Sequence, residues 1–250
     1  MEAVQSVIRI STALALAFAA FSPVQKTDLA PYTKTTTLLR PVQEGTTRIQ
    51  SKQLQQRLGA WSIDVTYPEL EGAGVFNYAV QKHLNSMLAD VKKETPDDAS
   101  AYGAYLKGTY TAEVLNIGVV SVLLDFEEYA PPAAHPWGIL ASITYDTKAR
   151  RVIALSDMFR PGSRYLSRLS AIAIESLGER EYADMNAIHR GAGPVDSNFK
   201  VFTLTNTELV LHFQQYQVAA GAAGSEQVAI PLGRLAPLLQ KQYRPQPSIR

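Results

Sequence analysis

Asp125, Glu127, Glu128 and His135 are the residues whose types and spacing could do chemistry. On an extended strand Asp125 and Glu127 point to one face and Glu128 to the other, so two carboxylates could meet a histidine returning on the next strand. Such a group could hold a divalent cation or act as an acid-base pair. A strand end that carries acidic side chains for solubility, with His135-Pro136-Trp137 turning the corner, accounts for the same residues without any reaction. The same loop gathers Tyr129 and Trp137, and Tyr216 stands in a later one. Tyr and Trp offer rigid surfaces that stack on sugars or anchor protein partners at low entropy cost. The candidate ligand-binding set is therefore Glu127, Glu128, Tyr129, His135, Trp137 and Tyr216.

The strong catalytic signatures are missing. No G-x-S-x-G elbow occurs, and the glycines of AAGAAGSEQ have neither a following Lys-Ser/Thr pair nor a βαβ frame. The histidines at 83, 135, 189 and 212 are too scattered for a zinc-protease pair one helical turn apart. With no cysteine, disulfides, thiolate nucleophiles and zinc-thiolate sites drop out, and the sequence implies no cofactor. His83 and His189 read as surface or helix-end residues, and His212 as a hydrogen-bonded surface residue.

The elements that must carry these residues follow from periodicity. Trp61, Ile63, Val65 and Tyr67 alternate with polar residues in a strand that Pro68 should end. Phe76, Val80, Leu84, Met87 or Leu88, and Val91 recur at helical spacing, and the helix should stop near Pro96. A strand through Tyr105 to Leu115 precedes one in which Val120, Val122, Leu124 and Phe126 alternate with Ser121, Asp125 and Glu127, as one buried face requires. A further strand follows the loop, and a turn at Asp146 to Arg150 leads to a third. Ser163 is placed to cap a helix with Leu166, Leu169, Ile172, Ala173 and Leu177 inward. Val201 to Thr205 and the strand with Leu209, Leu211 and Phe213 pair about Asn206-Thr207, and a short helix carries Leu232, Leu235, Leu238 and Leu239. The class is α+β, a mostly antiparallel sheet with two or three amphipathic helices packed on it.

The 250 residues carry a net charge of +1, with 46% hydrophobic and 19% charged residues, as ordinary globular proteins do. This excludes a membrane channel and gives no basic footprint for nucleic acid. Arg9 precedes an apolar run of 12 residues, Ile10 to Phe21, and Ala17-Phe18-Ala19 supplies small residues for cleavage. Residues 1–19 thus read as a signal peptide, and the protein as periplasmic or secreted, with membrane attachment only if that segment stays uncleaved. Residues 20–57 read as a basic spacer rich in Pro, Thr and Gln, with at most a short helix at 51–57.

Three stretches resemble a known family: WSIDVTYPELEG at 61–72; FEEYA, HPWG, ITYD and ALSDMFRPGSRYLSRLS between 126 and 170; and LVLHFQQYQVAAGAAGSEQVAIP at 209–231. Residues 116–243 resemble the extracytoplasmic DUF3298 family, and residues 58–115 its frequent partner segment, DUF4163; the two are expected to form one fold. Where family members tend to carry glycines before the histidine, this chain has Pro131, Pro132, Ala133 and Ala134, so its loop should be stiffer. The resemblance implies a sensory or wall-associated module, since the family includes a lysozyme-sensing anti-sigma factor and the partner segment accompanies a peptidoglycan deacetylase. The implied partner is a lysozyme-like protein or a wall glycan, and the leading reading is a non-enzymatic cell-envelope binding module. The alternative is an envelope hydrolase using Glu127, Glu128 and His135, with or without a metal.

Overall fold

The computed structural model describes residues 48–94 and 103–245, all within one compact unit running from Pro41 to Arg250. The signal-peptide reading, the spacer up to residue 47 and Tyr102 lie outside the described residues. Where a spacer and a short helix were expected, Ile49–Leu58 forms a strand, β1, paired residue for residue with β2 (Trp61–Leu70). The pairing is non-local support that composition does not reveal. Ile49, Leu54 and Leu58 rest against the core while the intervening glutamines face water, which suffices for an edge strand. Pro68 does not end β2. The strand meets its other neighbour only from Ser62 to Val65, so at Pro68 one side has no ladder bond to lose.

The helix α1 (Gly74–Glu94) is the crossover between β2 and its parallel neighbour β3 (Tyr105–Leu115). The side chain of Asn77 fixes its start, accepting from Leu70 N (2.8 Å) and donating to Leu70 O (3.0 Å). Phe76, Val80, Leu84 and Val91 bury its inner stripe against Trp61, Val122, Phe126 and Tyr145. Then β4 (Val119–Tyr129), β5 (Trp137–Asp146) and the two-residue β6 (Arg151–Val152) complete a six-stranded sheet in sequence order, antiparallel except between β2 and β3. Asp146 accepts from Lys148 N and Ala149 N to form the turn into β6.

A second layer covers part of the sheet's reverse face. It contains α2 (Tyr165–Gly178), α3 (Met185–Gly191), the antiparallel strands β7 (Val201–Leu204), β8 (Glu208–Phe213) and β9 (Glu226–Pro231), and α4 (Leu232–Leu235). With four α-helices and mostly antiparallel strands among the described residues, the class is α+β. Its core gathers Leu169, Ile172, Phe199, Leu211 and Phe213 with Val119 from β4. Ser121, expected on a wet face, is therefore buried: its Oγ accepts from Leu204 N (2.9 Å), as Ser142 Oγ does from Phe202 N (3.0 Å). The two hydroxyls satisfy backbone donors where β7 meets the sheet. Ser163 does not cap α2, whose N-cap is Arg164 without a side-chain bond; the Ser163 hydroxyl is buried and unpartnered among the described residues.

Candidate functional site

Register divides the residues expected to act together. Glu127 pairs with Gly138 and Glu128 with Trp137, so Glu128 and Trp137 are direct neighbours on the face that carries Phe126 and Ile139, while Glu127 and Tyr129 lie on the reverse. On that reverse face Tyr105 donates its hydroxyl to Glu127 Oε1 (2.7 Å), tilts against Tyr129 (5.6 Å between centroids) and lies under Lys107 Nζ (4.5 Å). Burial and then the Glu127 hydrogen bond push the Tyr105 phenol up to about 12. The carboxylates and His135 do not converge, and among the described residues no group of three His, Asp or Glu side chains could hold a metal.

The structure instead unites His135, Trp137 and Tyr216. Trp137 and Tyr216 stack with centroids 5.2 Å apart and planes 16° from parallel, each 47% exposed. His135 continues the stack against Tyr216 at 6.2 Å. Its Nδ1 lies 2.9 Å from the Pro136 carbonyl, to which it can only donate, so its Nε2 accepts from the Tyr216 hydroxyl, also at 2.9 Å.

The local chain holds this platform rigid. Tyr216 has φ +67° in the turn closed by Gln217 N donating to Gln214 O, a conformation that costs a non-glycine residue on the order of 1–3 kcal/mol. Gly221 lies under the Tyr216 ring, where a Cβ would overlap it. Gln215 bridges the two sides, accepting from Gly138 N and donating to Gly221 O, both at 2.9 Å. Gln214 acts as a surrogate strand: its amide accepts from Leu140 N (2.8 Å) and donates to Leu140 O (2.6 Å). These glutamine roles were missed, because a Q-Q-Y-Q run reads as a polar turn and its partners lie more than seventy residues away.

A concavity of about 330 Å³ lies between α1, β5 and β8 and includes His83 and His212. His212 is not the surface residue expected. As β8 is the middle strand of its sheet and covered on both sides, His212 is 7% exposed, with Nε2 2.8 Å from Thr203 Oγ1. Burial lowers its pKa to about 4; burial, then Lys82, lowers that of His83. His189 is exposed in the last turn of α3.

Comparison with known proteins connects these observations to a family. Residues 156–233 match the family described as Protein of unknown function (DUF3298). The chain carries a DUF3298 domain. Tyr216, Gly221 and His212 fall inside that match, whereas residues 127–137 precede it. The crystal structure of a DUF3298 family protein from Pseudomonas aeruginosa PAO1 aligns with a TM-score of 0.57 at 17% identity, covering 80% of this chain and 96% of that one. A DUF3298 member from Bacteroides fragilis aligns at 0.53 and 14% identity, covering 79% and 95%. At such identities these matches speak for the fold alone, and each covers more of the chain than residues 156–233. The peptidoglycan-N-acetylmuramic acid deacetylase PdaC of Bacillus subtilis is 29% identical over 183 residues, 72% of this chain but 39% of that protein. The immunogenic protein MPT64 of Mycobacterium tuberculosis is 23% identical over 202 residues, 78% of this chain and 86% of that protein. Among the described residues no helix is long and apolar enough to cross a membrane.

Proposed function

We propose that this chain is an exported cell-envelope binding module that holds wall glycan against the Trp137–Tyr216 platform. The observation that carries the reading is the stacked, half-exposed pair itself, built at the cost of a left-handed backbone at Tyr216 and fixed by Gly221, Gln215 and His135. An exposed aromatic pair locked before its ligand arrives loses little entropy on binding and offers a flat apolar surface suited to a sugar ring. Glu128, opposite Trp137 in register, lies on the same face of the sheet as that surface. The likeness to PdaC, which acts on peptidoglycan, supports the same ligand class, although the chain spans 39% of that protein and its deacetylase activity does not come with the likeness. In the same reading residues 58–115 act as the DUF4163-like partner of the DUF3298 domain, β2 and α1 giving the sheet its inner face.

Co-sedimentation of the protein with isolated peptidoglycan tests this, with soluble lysozyme capture run beside it. The native protein should pellet with peptidoglycan, and a Trp137→Ala, Tyr216→Ala double variant with an unchanged melting temperature should stay in the supernatant. Equal pelleting of the two would move the glycan site off the platform. Capture of lysozyme without retention by peptidoglycan would replace the glycan with a protein partner.

A further inference from the structure

The cleft between α1, β5 and β8 belongs neither to the platform nor to the tyrosine group on the reverse face, and its chemistry narrows what it can take. At about 30 Å³ per water in the liquid, its volume of about 330 Å³ admits roughly ten waters, at the small end of ligand sites. Met87 from α1 with Phe126 and Ile139 from the sheet make an apolar wall. Lys200 is the one lysine or arginine among the lining residues, which include no carboxylate. His212, next to Lys200 through the Val201–His212 register pair, has Nε2 engaged by Thr203 and no hydrogen bond at Nδ1 among the described residues, while His83 on the facing helix makes none among them.

We propose that this cleft is a second binding site, for a compact monocarboxylate with an apolar body. The carboxylate meets Lys200 and the Nδ1–H of His212 on the β7–β8 side, and the body lies on Met87, Phe126 and Ile139. Binding of a carboxylate selects the tautomer in which the Thr203 hydroxyl donates to Nε2, 2.8 Å away, and the imidazole proton stands on Nδ1. A cationic ligand finds no counter-charge here and would face Lys200. Both imidazoles are neutral near pH 7, since their pKa values are depressed, so Lys200 supplies the charge recognition.

The test is a titration of the full chain with hexanoate, 1-hexanol and hexylamine, followed by calorimetry and by the ring-proton resonances of His83 and His212. Hexanoate should bind saturably and shift both histidines, with 1-hexanol weaker and hexylamine inert. Lys200→Ala should weaken hexanoate by roughly two- to fivefold, the worth of an exposed ion pair. Ser86→Trp, placed on an exposed position of α1 at the mouth, should abolish the response. The proposal is overturned if hexanoate gives no saturable shift, if hexylamine or 1-hexanol binds as well, or if the Lys200→Ala protein binds hexanoate like the native one. None of these outcomes depends on peptidoglycan retention by Trp137 and Tyr216.

Discussion

Lowering the pH from about 7.5 to about 5 should cost this fold about 2 kcal/mol through His212 alone. In the unfolded chain an imidazole titrates near 6.5, whereas burial lowers His212 to about 4 in the fold. Between those values the unfolded state takes up a proton that the native state refuses. Stability is therefore complete above the unfolded value and is lost as the pH falls towards the folded one. The full gap corresponds to roughly 3 kcal/mol, of which about 2 is realised by about pH 5. His83 shifts in the same direction and adds to the loss. Asp157, held low chiefly by its hydrogen bond from Arg151, titrates below this window and does not confuse it. Urea unfolding at the two pH values gives the native slope, and His212→Gln, which keeps an amide for Thr203 and cannot titrate, gives the control. The control should lose about 2 kcal/mol less than the native protein; equal losses would refute the assignment of a buried neutral imidazole to position 212.

Gly221→Ala should displace the Tyr216 ring and reduce peptidoglycan retention as far as Tyr216→Ala does, with the fold intact by circular dichroism. Gly191→Ala should be worse for stability than for binding, because its Cβ would overlap the Gln217 carbonyl rather than a mobile ring; a loss of about 1–3 kcal/mol in urea unfolding is expected. Ser163→Ala should be neutral or stabilising by up to about 1 kcal/mol, since it removes a buried hydroxyl without a partner, whereas loss of a true cap would destabilise. Glu127→Gln should bring the Tyr105 phenol back down from about 12, read as a tyrosine ultraviolet transition at lower pH than in the native protein.

Local periodicity made β2, α1 and the β4–β5 hairpin legible, because each buries a face that repeats every two residues or every helical turn. It also placed Glu127 and Glu128 on opposite faces correctly. What it could not show was which face would meet the loop after β8, so a set that looked contiguous in sequence separated into a Glu127–Tyr105–Tyr129 group and a His135–Trp137–Tyr216 group. β1 was illegible for a related reason: its ten pairings with β2 are what make a Gln-rich segment extended. Ser121 and His212 were misjudged because a polar residue on a strand looks wet until a second layer covers it, and that layer arrives from residues eighty or more positions away in the case of Ser121.

The glutamine contacts along β5 also decide how this sheet can associate. The last strand, β6, is two residues long, and further along β5 the amides of Gln214 and Gln215 already occupy Leu140 and Gly138. An incoming strand finds no vacant row of donors and acceptors there. At the opposite end β1 offers ten residues of outer edge that no other strand pairs among the described residues, carrying charges such as Lys52 and Arg57. Growth of a fibre by edge-to-edge addition to this sheet needs two open ends on every molecule. With one end stopped, addition of this kind closes at a pair of copies joined β1 to β1 and goes no further.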